Sequence, residues 1–202
     1  RDIIMRYKLP AEKPLKETVY YAVSNIGKKL SFNTIRGITG LTSATTIKEY
    51  FEYLENSYLL FLVPRFDYSL KKQIYSPKKI YCVDTALAHL IGFRATADMG
   101  RILENVVFLA LRAHEKEIYY HQDVHECDFL VRKNGKISAA IQVTMDFKAT
   151  RKREVDGLVE AMKEYKLKEG IILTYDEEED ILVGLLKITV MPVWKWLLEL
   201  SN

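Results

Sequence analysis

The sequence predicts an α/β protein in two parts: a helical region with a β-hairpin over residues 1–78, then a mixed β-sheet flanked by helices over residues 79–202. Three observations predict it. Apolar side chains recur at helical spacing through residues 15–54. Two runs of β character flank an Asn-Gly pair at positions 134–135, a strong signal of a tight turn between strands. Helix-type and strand-type segments then alternate to the end, as in a sheet covered by helices.

Length and composition are those of a globular chain. The 202 residues are 49% hydrophobic and 28% charged, enough for one large domain or two small ones. No apolar run approaches the length of a membrane span and no signal-peptide pattern is present, so we expect a cytoplasmic protein without a membrane partner. Cys82 and Cys127 fit reduced core residues better than a disulfide or metal site. The chain begins at Arg1 without an initiator Met, which we interpret as the cut end of a longer polypeptide.

Charge is divided unevenly along the chain. Residues 1–80 contain 14 Lys and Arg against 7 Asp and Glu, a net charge of +7. Residues 81–202 contain 16 against 20, a net charge of −4. Because a basic segment attracts polyanions, the first part is the better candidate for contact with DNA. The alternative is a solvated surface with a modest excess of lysine.

The first part contains three predicted helices. Residues 16–26 and 31–38 have the apolar period of helices, and Ser31 is a candidate N-cap for the second of them. Ser43 or Thr42 can cap the third helix. Its buried stripe consists of Ile47, Tyr50, Phe51 and Leu54.

Two strand-type runs, residues 58–63 and 71–75, follow the helices and predict a β-hairpin. Three helices with a tight turn between the last two, followed by a hairpin, are the pattern of a winged helix-turn-helix. In a DNA-binding version the exposed face of the third helix would enter the major groove, and its candidates are Thr45, Thr46, Lys48 and Glu49. The hairpin would contact phosphates through Arg65, Lys71, Lys72, Lys78 and Lys79.

Acidic residues on the third helix favour a different use of this region. Glu49, Glu52 and Glu55 would oppose a phosphate backbone. Winged helices also serve as protein–protein modules and as spacers in multidomain proteins. Contact with a protein partner, including self-association, therefore stands beside contact with DNA.

The second part begins with a strand-type run over residues 79–84, followed by a short helix that Asp84 can cap. A largely apolar helix over residues 100–112 comes next. Glu104 shares its buried side with Phe108 and Leu111, so its carboxylate needs a partner. The alternative is a carboxylate placed near the helix start because the macrodipole favours it there.

The most informative stretch is the predicted hairpin of residues 126–131 and 137–144. Side chains alternate along a strand, so Glu126 and Asp128 share one face, and Gln142 and Thr144 share one face of the next strand. The polar groups therefore sort onto one side. Carboxylate and amide oxygens are hard ligands for Mg²⁺, so this arrangement is typical of metal-dependent phosphodiester hydrolysis.

Several elements complete the predicted sheet. Residues 117–121 are predicted to form a strand that leads into a loop. His121 and His125 suggest a zinc site, but HxxxH outside a helix does not put both rings on one face, so a loop without a metal is favoured. An amphipathic helix follows over residues 150–166 and a buried strand over residues 170–174. Residues 176–180 are predicted to form a solvated acidic loop, residues 185–190 the last strand, and a hydrophobic helix begins at Pro192.

These motifs resemble a known family. Glu-Asn in a buried helix, then Tyr-Tyr, Glu-x-Asp-Phe and Ile-Gln-Val-Thr are similar to the restriction-endonuclease-like, PD-(D/E)XK domain at the C-terminal end of archaeal and bacterial P-loop ATPases of the AAA type. The resemblance runs from about residue 15 to the C-terminus. Glu104, Asp128 and Gln142 match the family's acidic residue, strand-end Asp and Glu/Gln, while Thr144 occupies the position of the catalytic Lys.

The resemblance implies a Mg²⁺ site at Asp128 and Gln142, with the Val143 carbonyl as a third oxygen and Glu104 as a supporting carboxylate. A threonine hydroxyl cannot supply the positive charge that a lysine offers at the reacting phosphate. This departure favours a degenerate domain that binds DNA without cleaving it. The alternatives are an active Mg²⁺-dependent endonuclease, in which Lys148 or Lys152 replaces the missing lysine, and a protein-interaction or regulatory module.

The sequence contains no Gly-x-x-x-x-Gly-Lys-Ser/Thr motif, so these residues do not form a P-loop for ATP. If the resemblance holds, the ATPase belongs to a missing N-terminal portion. The chain would then be the DNA-handling or regulatory half of a larger machine.

Overall fold

The computed structural model describes residues 2–7, 12–41, 43–91, 99–115 and 117–200. The described residues form a mixed α/β structure that divides into two compact units. Unit 1 comprises residues 1–63 and 74–98, and unit 2 comprises residues 64–73 and 99–202. Among the described helices, none combines the length and hydropathy needed to cross a bilayer.

Unit 1 is mainly helical. Its elements are α1 (Asp2–Arg6), α2 (Glu12–Ser24), β1 (Lys29–Leu30), α3 (Phe32–Thr39), α4 (Ala44–Asn56), β2 (Leu60–Pro64), β3 (Lys78–Cys82) and α6 (Thr85–Ile91), while α5 (Leu70–Tyr75) lies across the boundary of the units. The predicted caps are confirmed, since the Ser31 and Ser43 hydroxyls accept hydrogen bonds from the N–H groups of Thr34 and Thr46. Thr42, the alternative cap, lies outside the described residues.

A small sheet and an apolar core hold unit 1 together. The three described strands are ordered β1-β3-β2, with β1 antiparallel to β3. The core includes the predicted stripe of α4, in which Ile47, Tyr50, Phe51 and Leu54 are each at most 3% exposed. Burial of this stripe fixes which face of α4 remains open to solvent.

The predicted strand over residues 71–75 is wrong. These residues belong to α5 instead, so the predicted hairpin with residues 58–63 does not form. The reason is local. Asp67 accepts the Ser69 N–H at 2.8 Å, and the Ser69 carbonyl accepts the Gln73 N–H at 3.0 Å, which starts a helical turn. The strand predicted to open the second part is β3, which lies in the sheet of unit 1.

Unit 2 is a mixed sheet flanked by helices. Its elements are α7 (Met99–His114), β4 (Ile118–Gln122), β5 (Glu126–Lys133), β6 (Lys136–Val143), α8 (Phe147–Glu164), β7 (Glu169–Thr174), β8 (Glu179–Val183), β9 (Leu186–Pro192) and α9 (Val193–Leu200). Among the described residues six strands are ordered β4-β5-β6-β7-β9-β8, parallel at β6–β7 and β7–β9 and antiparallel elsewhere. The predicted Asn134-Gly135 turn joins β5 to β6, with both residues at positive φ.

The predicted acidic loop over residues 176–180 is only partly a loop. Glu179 and Asp180 begin β8, the edge strand, which pairs with β9 through a tight turn at Gly184 (φ 61°). Helix α8 packs against β5, β6 and β7, and α9 packs against β7 and β9. Segment 64–73 joins this core through Phe66, which is 7% exposed.

Candidate functional site

The candidate site lies where the ladder between β5 and β6 ends. The last paired residues are Phe129 and Ile141. One residue further on, side chains replace backbone carbonyls as the hydrogen-bond acceptors. The Gln142 amide oxygen accepts the Asp128 N–H at 3.1 Å, and the Asp128 carboxylate accepts the Val143 N–H at 2.9 Å. The structure therefore brings Asp128, Gln142 and Val143 together, and their side chains satisfy two buried backbone donors that would otherwise cost free energy.

Helix α8 completes this arrangement. Gln142 donates through its amide nitrogen to Glu154 at 2.5 Å, and the other Glu154 oxygen accepts from the guanidinium of Arg153 at 3.0 Å. Glu154 is 1% exposed, whereas the Arg153 side chain is 73% exposed. We call Asp128, Gln142, Glu154 and Arg153 the polar network. It runs from the end of β5 to the surface of α8.

Electrostatics within the polar network centre on Arg153. The hydrogen bond to Glu154, and then the charge of Glu154, raise the pKa of the Arg153 guanidinium. The negative charges of Asp128 and Glu126 act in the same direction. One exposed cation is thus paired with the buried carboxylate of Glu154 and lies in the field of two more carboxylates.

A close approach of α8 to β5 sets the geometry. A Cβ added at Gly157 would lie 2.2 Å from the backbone oxygen of Glu126, so only glycine allows this distance. Asp146 caps α8 by accepting the Ala149 N–H at 2.9 Å. Glu154 lies about one turn before Gly157, which places its carboxylate against Gln142.

Several oxygens of the site that a Mg²⁺ ion would use also accept hydrogen bonds within the protein. The Gln142 amide oxygen and one Asp128 oxygen already accept backbone N–H groups, and the charge of Glu154 is paired with Arg153. Mg²⁺ requires several oxygen ligands in octahedral geometry. Among the described residues, no cluster of three or more His, Cys, Asp or Glu could hold a metal ion.

The remaining predicted catalytic residues lie in different surroundings. The Thr144 hydroxyl is 2.9 Å from that of Thr150 and 3.4 Å from the Asp146 carbonyl, at the start of α8. Lys148 and Lys152, the predicted replacements for a lysine, are exposed on α8. Glu104 is buried in α7, at 9% exposed, as its helical position predicted.

Predicted DNA contacts on α4 lie at its N-terminal end. Thr45 and Lys48 are exposed, and Thr46 is partly buried with its N–H donating to Ser43. Exposed Glu49 and Glu52 follow along the helix. Glu49, itself one of the candidates, and Glu52 thus lie further from the N-terminus of α4 than Thr45, Thr46 and Lys48.

The residues predicted to contact phosphates through the hairpin differ in burial and in their partners. Lys71 and Lys72 are exposed on α5, and Lys72 lies 3.6 Å from Asp67. Lys78 donates to the Ile74 carbonyl at 3.3 Å, and burial lowers the pKa of its amine. Lys79 is 1% exposed, which does not fit contact with a phosphate backbone. Arg65 forms a β-bridge with Tyr120 in unit 2.

Sequence reasoning missed Glu154 and Arg153. A signal for Glu154 was present, because it lies four residues before Leu158 and seven before Ala161, on the buried stripe of an amphipathic helix. A carboxylate on that stripe needs a partner. No pattern in the sequence singles out Arg153, because its role depends on its pairing with Glu154.

Comparison with known proteins relates the whole chain to longer ones. Residues 1–97 match a family model described as "Domain of unknown function (DUF8612)", and residues 99–196 match "Domain of unknown function (DUF4143)". The gap between the two matches coincides with the boundary of the units at Asp98 and Met99.

Relatives extend beyond this chain. An uncharacterized protein of Methanocaldococcus jannaschii is 31% identical to this chain, and the match covers 97% of this chain and 47% of the relative. A protein of Haemophilus influenzae is 30% identical, and the match covers 98% of this chain and 49% of the relative. The chain thus spans about half the length of these relatives. A solved half-complex of Thermococcus gammatolerans McrB AAA+ hexamers with bound McrC aligns with 89% of this chain and 46% of its own, at 13% identity and a TM-score of 0.38. That TM-score is too low to establish a shared fold.

Proposed function

We propose that this chain is a DNA-binding module with a nuclease-like domain that does not cleave. The observation that carries the proposal is the polar network. In it Asp128 and Gln142 join two strands and a helix, while the hydroxyl of Thr144, at the position of the catalytic lysine, contacts the start of α8 through Thr150 and Asp146.

A winged helix in unit 1 is supported by topology. The described elements α2, β1, α3, α4, β2 and β3 have the order of a winged helix-turn-helix, with α5 inserted between β2 and β3 and the strands ordered β1-β3-β2. In this arrangement α4 is the recognition helix. Its exposed Thr45 and Lys48 lie at the N-terminal end, which is the end that reaches base edges in such motifs.

We further propose that the module belongs to a longer cytoplasmic protein, a P-loop ATPase. Support comes from the share of the relatives that this chain covers, 47% and 49%, and from the resemblance of its motifs. Cys82 and Cys127 are buried free thiols, as suits a reducing compartment.

Binding to DNA is tested by fluorescence anisotropy with a labelled duplex at several salt concentrations. We expect affinity to fall steeply with salt, because phosphate contacts release counterions. Lys48→Ala should weaken binding and reduce the salt slope by about 1. Lys152→Ala, on α8 of unit 2, is the matched control and should bind as the unaltered protein does. Affinity that is independent of salt and of Lys48 would contradict DNA binding by α4.

Cleavage is tested by plasmid nicking with Mg²⁺ or Mn²⁺. We expect no nicking by the unaltered protein and none by Asp128→Ala. Nicking by Thr144→Lys alone would show a nuclease fold that lost its lysine. Nicking by the unaltered protein that disappears in Asp128→Ala would overturn the proposal and establish an active endonuclease.

A second function, contact with a protein partner, is supported by exposed apolar residues around α5. Tyr68 and Tyr75 are each 80% exposed, Leu70 is 69% and Ile74 is 54%. Exposed large apolar side chains are typical of protein–protein interaction surfaces. Leu70→Glu combined with Ile74→Glu should leave DNA affinity unchanged if this surface serves a protein, and sedimentation would report loss of any self-association.

A further inference from the structure

Strand β8 forms one edge of the sheet of unit 2. In the described part of the chain it has a neighbour on one side only, because the strand order ends with β9-β8 and β8 pairs with β9. Along an antiparallel ladder, residues alternate between bonding to their partner and presenting N–H and C=O on the opposite side. The backbone groups of alternate β8 residues are therefore open to a further strand.

The side chains of β8 divide between the two faces of the sheet. Ile181 and Val183 pack against the core cluster to which α8 contributes Met162. Because side chains alternate along a strand, Asp180 and Leu182 lie on the face turned away from α8. Leu182 is 77% exposed there. A strand that pairs with this edge would thus gain burial of a leucine as well as backbone hydrogen bonds.

A groove of about 570 Å³ lies beside β8 on the same face of the sheet. Strand β7 identifies the face. A Cβ added at Gly170 would meet Met162 of α8 at 2.7 Å, so the neighbouring Ile171, which lines the groove, points away from α8. Helix α9 contributes Lys195 and Glu199 to the lining. The apolar part of the lining comes from three strands, through Ala139, Ile171 and Met191.

Carboxylates outnumber cations in this groove. Its charged lining consists of two lysines and five carboxylates, namely Lys187, Lys195, Glu169, Glu178, Glu179, Asp180 and Glu199. Ion pairs join Glu178 to Lys195 and Glu179 to Arg151. Within the described ranges Glu169, Asp180 and Glu199 form no ion pair, so their charges exceed that of the remaining lysine. We call the lining residues together the acidic groove.

An open edge, an apolar floor and excess negative charge together select a basic strand. A lysine or arginine side chain can lay its apolar stem on Ile171 and direct its charged end to the carboxylates of Glu169 and Asp180. An acidic strand would be repelled. A second copy of this chain fits less well, because pairing of two β8 strands would bring Glu179 and Asp180 of both copies into one interface.

We propose that β8 and the acidic groove bind an extended, lysine- or arginine-rich segment of a partner protein. The segment adds to the sheet as a strand beside β8, and one of its basic side chains occupies the groove. Every residue of this surface belongs to unit 2, so the proposal does not rest on DNA binding by α4. The surface shares no residue with the exposed apolar residues around α5.

The probe is a synthetic peptide of about eight residues in which Lys and Val alternate. Two control peptides have the same length. One replaces every Lys by Glu, and the other keeps the sequence but is N-methylated at every backbone amide, which removes the strand hydrogen bonds. In fluorescence anisotropy we expect the Lys–Val peptide to bind at least about ten times more tightly than either control. Its affinity should fall as salt is raised, because screening weakens contacts between exposed charges.

Variants of the protein test the charges separately. Glu169→Gln combined with Glu199→Gln removes two carboxylates of the acidic groove and should weaken binding of the Lys–Val peptide about tenfold. Lys187→Gln removes a competing cation and should strengthen binding about threefold. Glu164→Gln, which alters an exposed carboxylate of α8 outside the groove, is the matched control and should change nothing. Because Glu169 and Glu199 are exposed, the double variant should keep the unfolding midpoint of the unaltered protein.

Three results would overturn the proposal: no binding of the Lys–Val peptide at about 1 mM, equally tight binding of either control peptide, or unchanged binding by the double variant. Sedimentation decides between a partner and a second copy. Self-association that Leu182→Lys abolishes would assign this edge to a second copy and would also overturn the proposal.

Discussion

At the scale of single residues, the polar network depends on an exposed arginine that neutralises a buried carboxylate. Glu154 is 1% exposed and accepts hydrogen bonds from Gln142 and Arg153. Arg153→Met removes the cation and leaves the charge of Glu154 with one amide donor. We expect the free energy of unfolding to fall by about 1–3 kcal/mol. Urea unfolding followed by tryptophan fluorescence measures it, because Trp194 and Trp196, the two tryptophans of the chain, lie in α9.

The control for Arg153 is its neighbour. Lys152 is also a cation on α8, is exposed, and precedes Arg153 by one residue. Lys152→Met removes the same charge from the same helix and should change stability by less than about 0.5 kcal/mol. Equal effects of the two substitutions would mean that Arg153 acts through general charge and not through Glu154.

Glu160 makes stability depend on pH. Burial raises the pKa of its carboxyl, but hydrogen bonds from His125 and then His121 outweigh burial and hold that pKa below its ordinary 4.5. A depressed carboxyl pKa stabilises the folded state above the unfolded pKa, and this stabilisation disappears as pH falls through the folded pKa. Glu160→Gln should therefore cost about 1–3 kcal/mol at pH 6 and less at pH 3.

Exposed Glu164 provides the comparison for Glu160, since it lies one turn further along α8. Glu164→Gln should change stability little at either pH. Urea unfolding of both variants at the two pH values makes the measurement. A cost of Glu160→Gln that is the same at pH 6 and pH 3 would show that the histidines do not stabilise the ionised carboxylate.

The sequence predicts contacts between adjacent strands of the site better than contacts with a helix that packs on the sheet. Strand alternation and the Asn134-Gly135 turn were enough to predict that Asp128 and Gln142 would lie together, because adjacent strands fix their register. The hydrogen bonds of Glu154 could not be predicted in this way. They depend on the angle and depth at which α8 packs on the sheet, and no local pattern specifies these quantities.

At the scale of elements, the packing of α8 on β5 depends on Gly157. A Cβ there would lie 2.2 Å from the Glu126 backbone oxygen, which cannot move without disrupting β5. Gly157→Ala should cost about 2–3 kcal/mol of unfolding free energy, because α8 must shift away from the sheet. Gly37, in α3, has nothing within 4 Å of an added Cβ, so Gly37→Ala should stabilise by up to about 1 kcal/mol.

The same substitution in two helices should thus change stability in opposite directions. Circular dichroism during thermal unfolding compares the two variants with the unaltered protein. Destabilisation by Gly37→Ala would contradict the open space at that position. A neutral Gly157→Ala would mean that α8 can withdraw from β5 at no cost, and that Glu154 and Gln142 need no fixed spacing.

Errors in predicting the elements have local causes. Polar and apolar side chains alternate over too few residues in 71–75 to distinguish a strand from a helix. The turn at Asp67 and Ser69 favours helix α5. Strand β8 begins inside an acidic run whose composition is typical of a loop. Its pairing with β9 supplies the backbone hydrogen bonds that composition does not reveal.

At the scale of the whole molecule, the position of a segment in the sequence does not always determine the unit in which it packs. Residues 64–73 begin at Pro64, the last residue of β2, and end before β3; these strands are neighbours in the sheet of unit 1, yet the segment belongs to unit 2. Sequence alone placed this segment in a hairpin because it lies between two strands. Its burial follows from Phe66, whose partners come from distant parts of the sequence. A long-range contact of this kind leaves no periodic signal.

Phe66 therefore provides a test of which unit the segment stabilises. It is 7% exposed and its ring lies 5.3 Å from those of Tyr119 and Tyr165 in unit 2. Phe66→Ala should cost about 3–5 kcal/mol, through lost burial and the cavity left behind. The loss should appear in the unfolding transition reported by tryptophan fluorescence, because both tryptophans are in unit 2. Tyr75→Ala, which truncates an aromatic ring that is 80% exposed on α5, should leave that transition unchanged. A transition that is insensitive to Phe66→Ala would mean that residues 64–73 are not part of the cooperative core of unit 2.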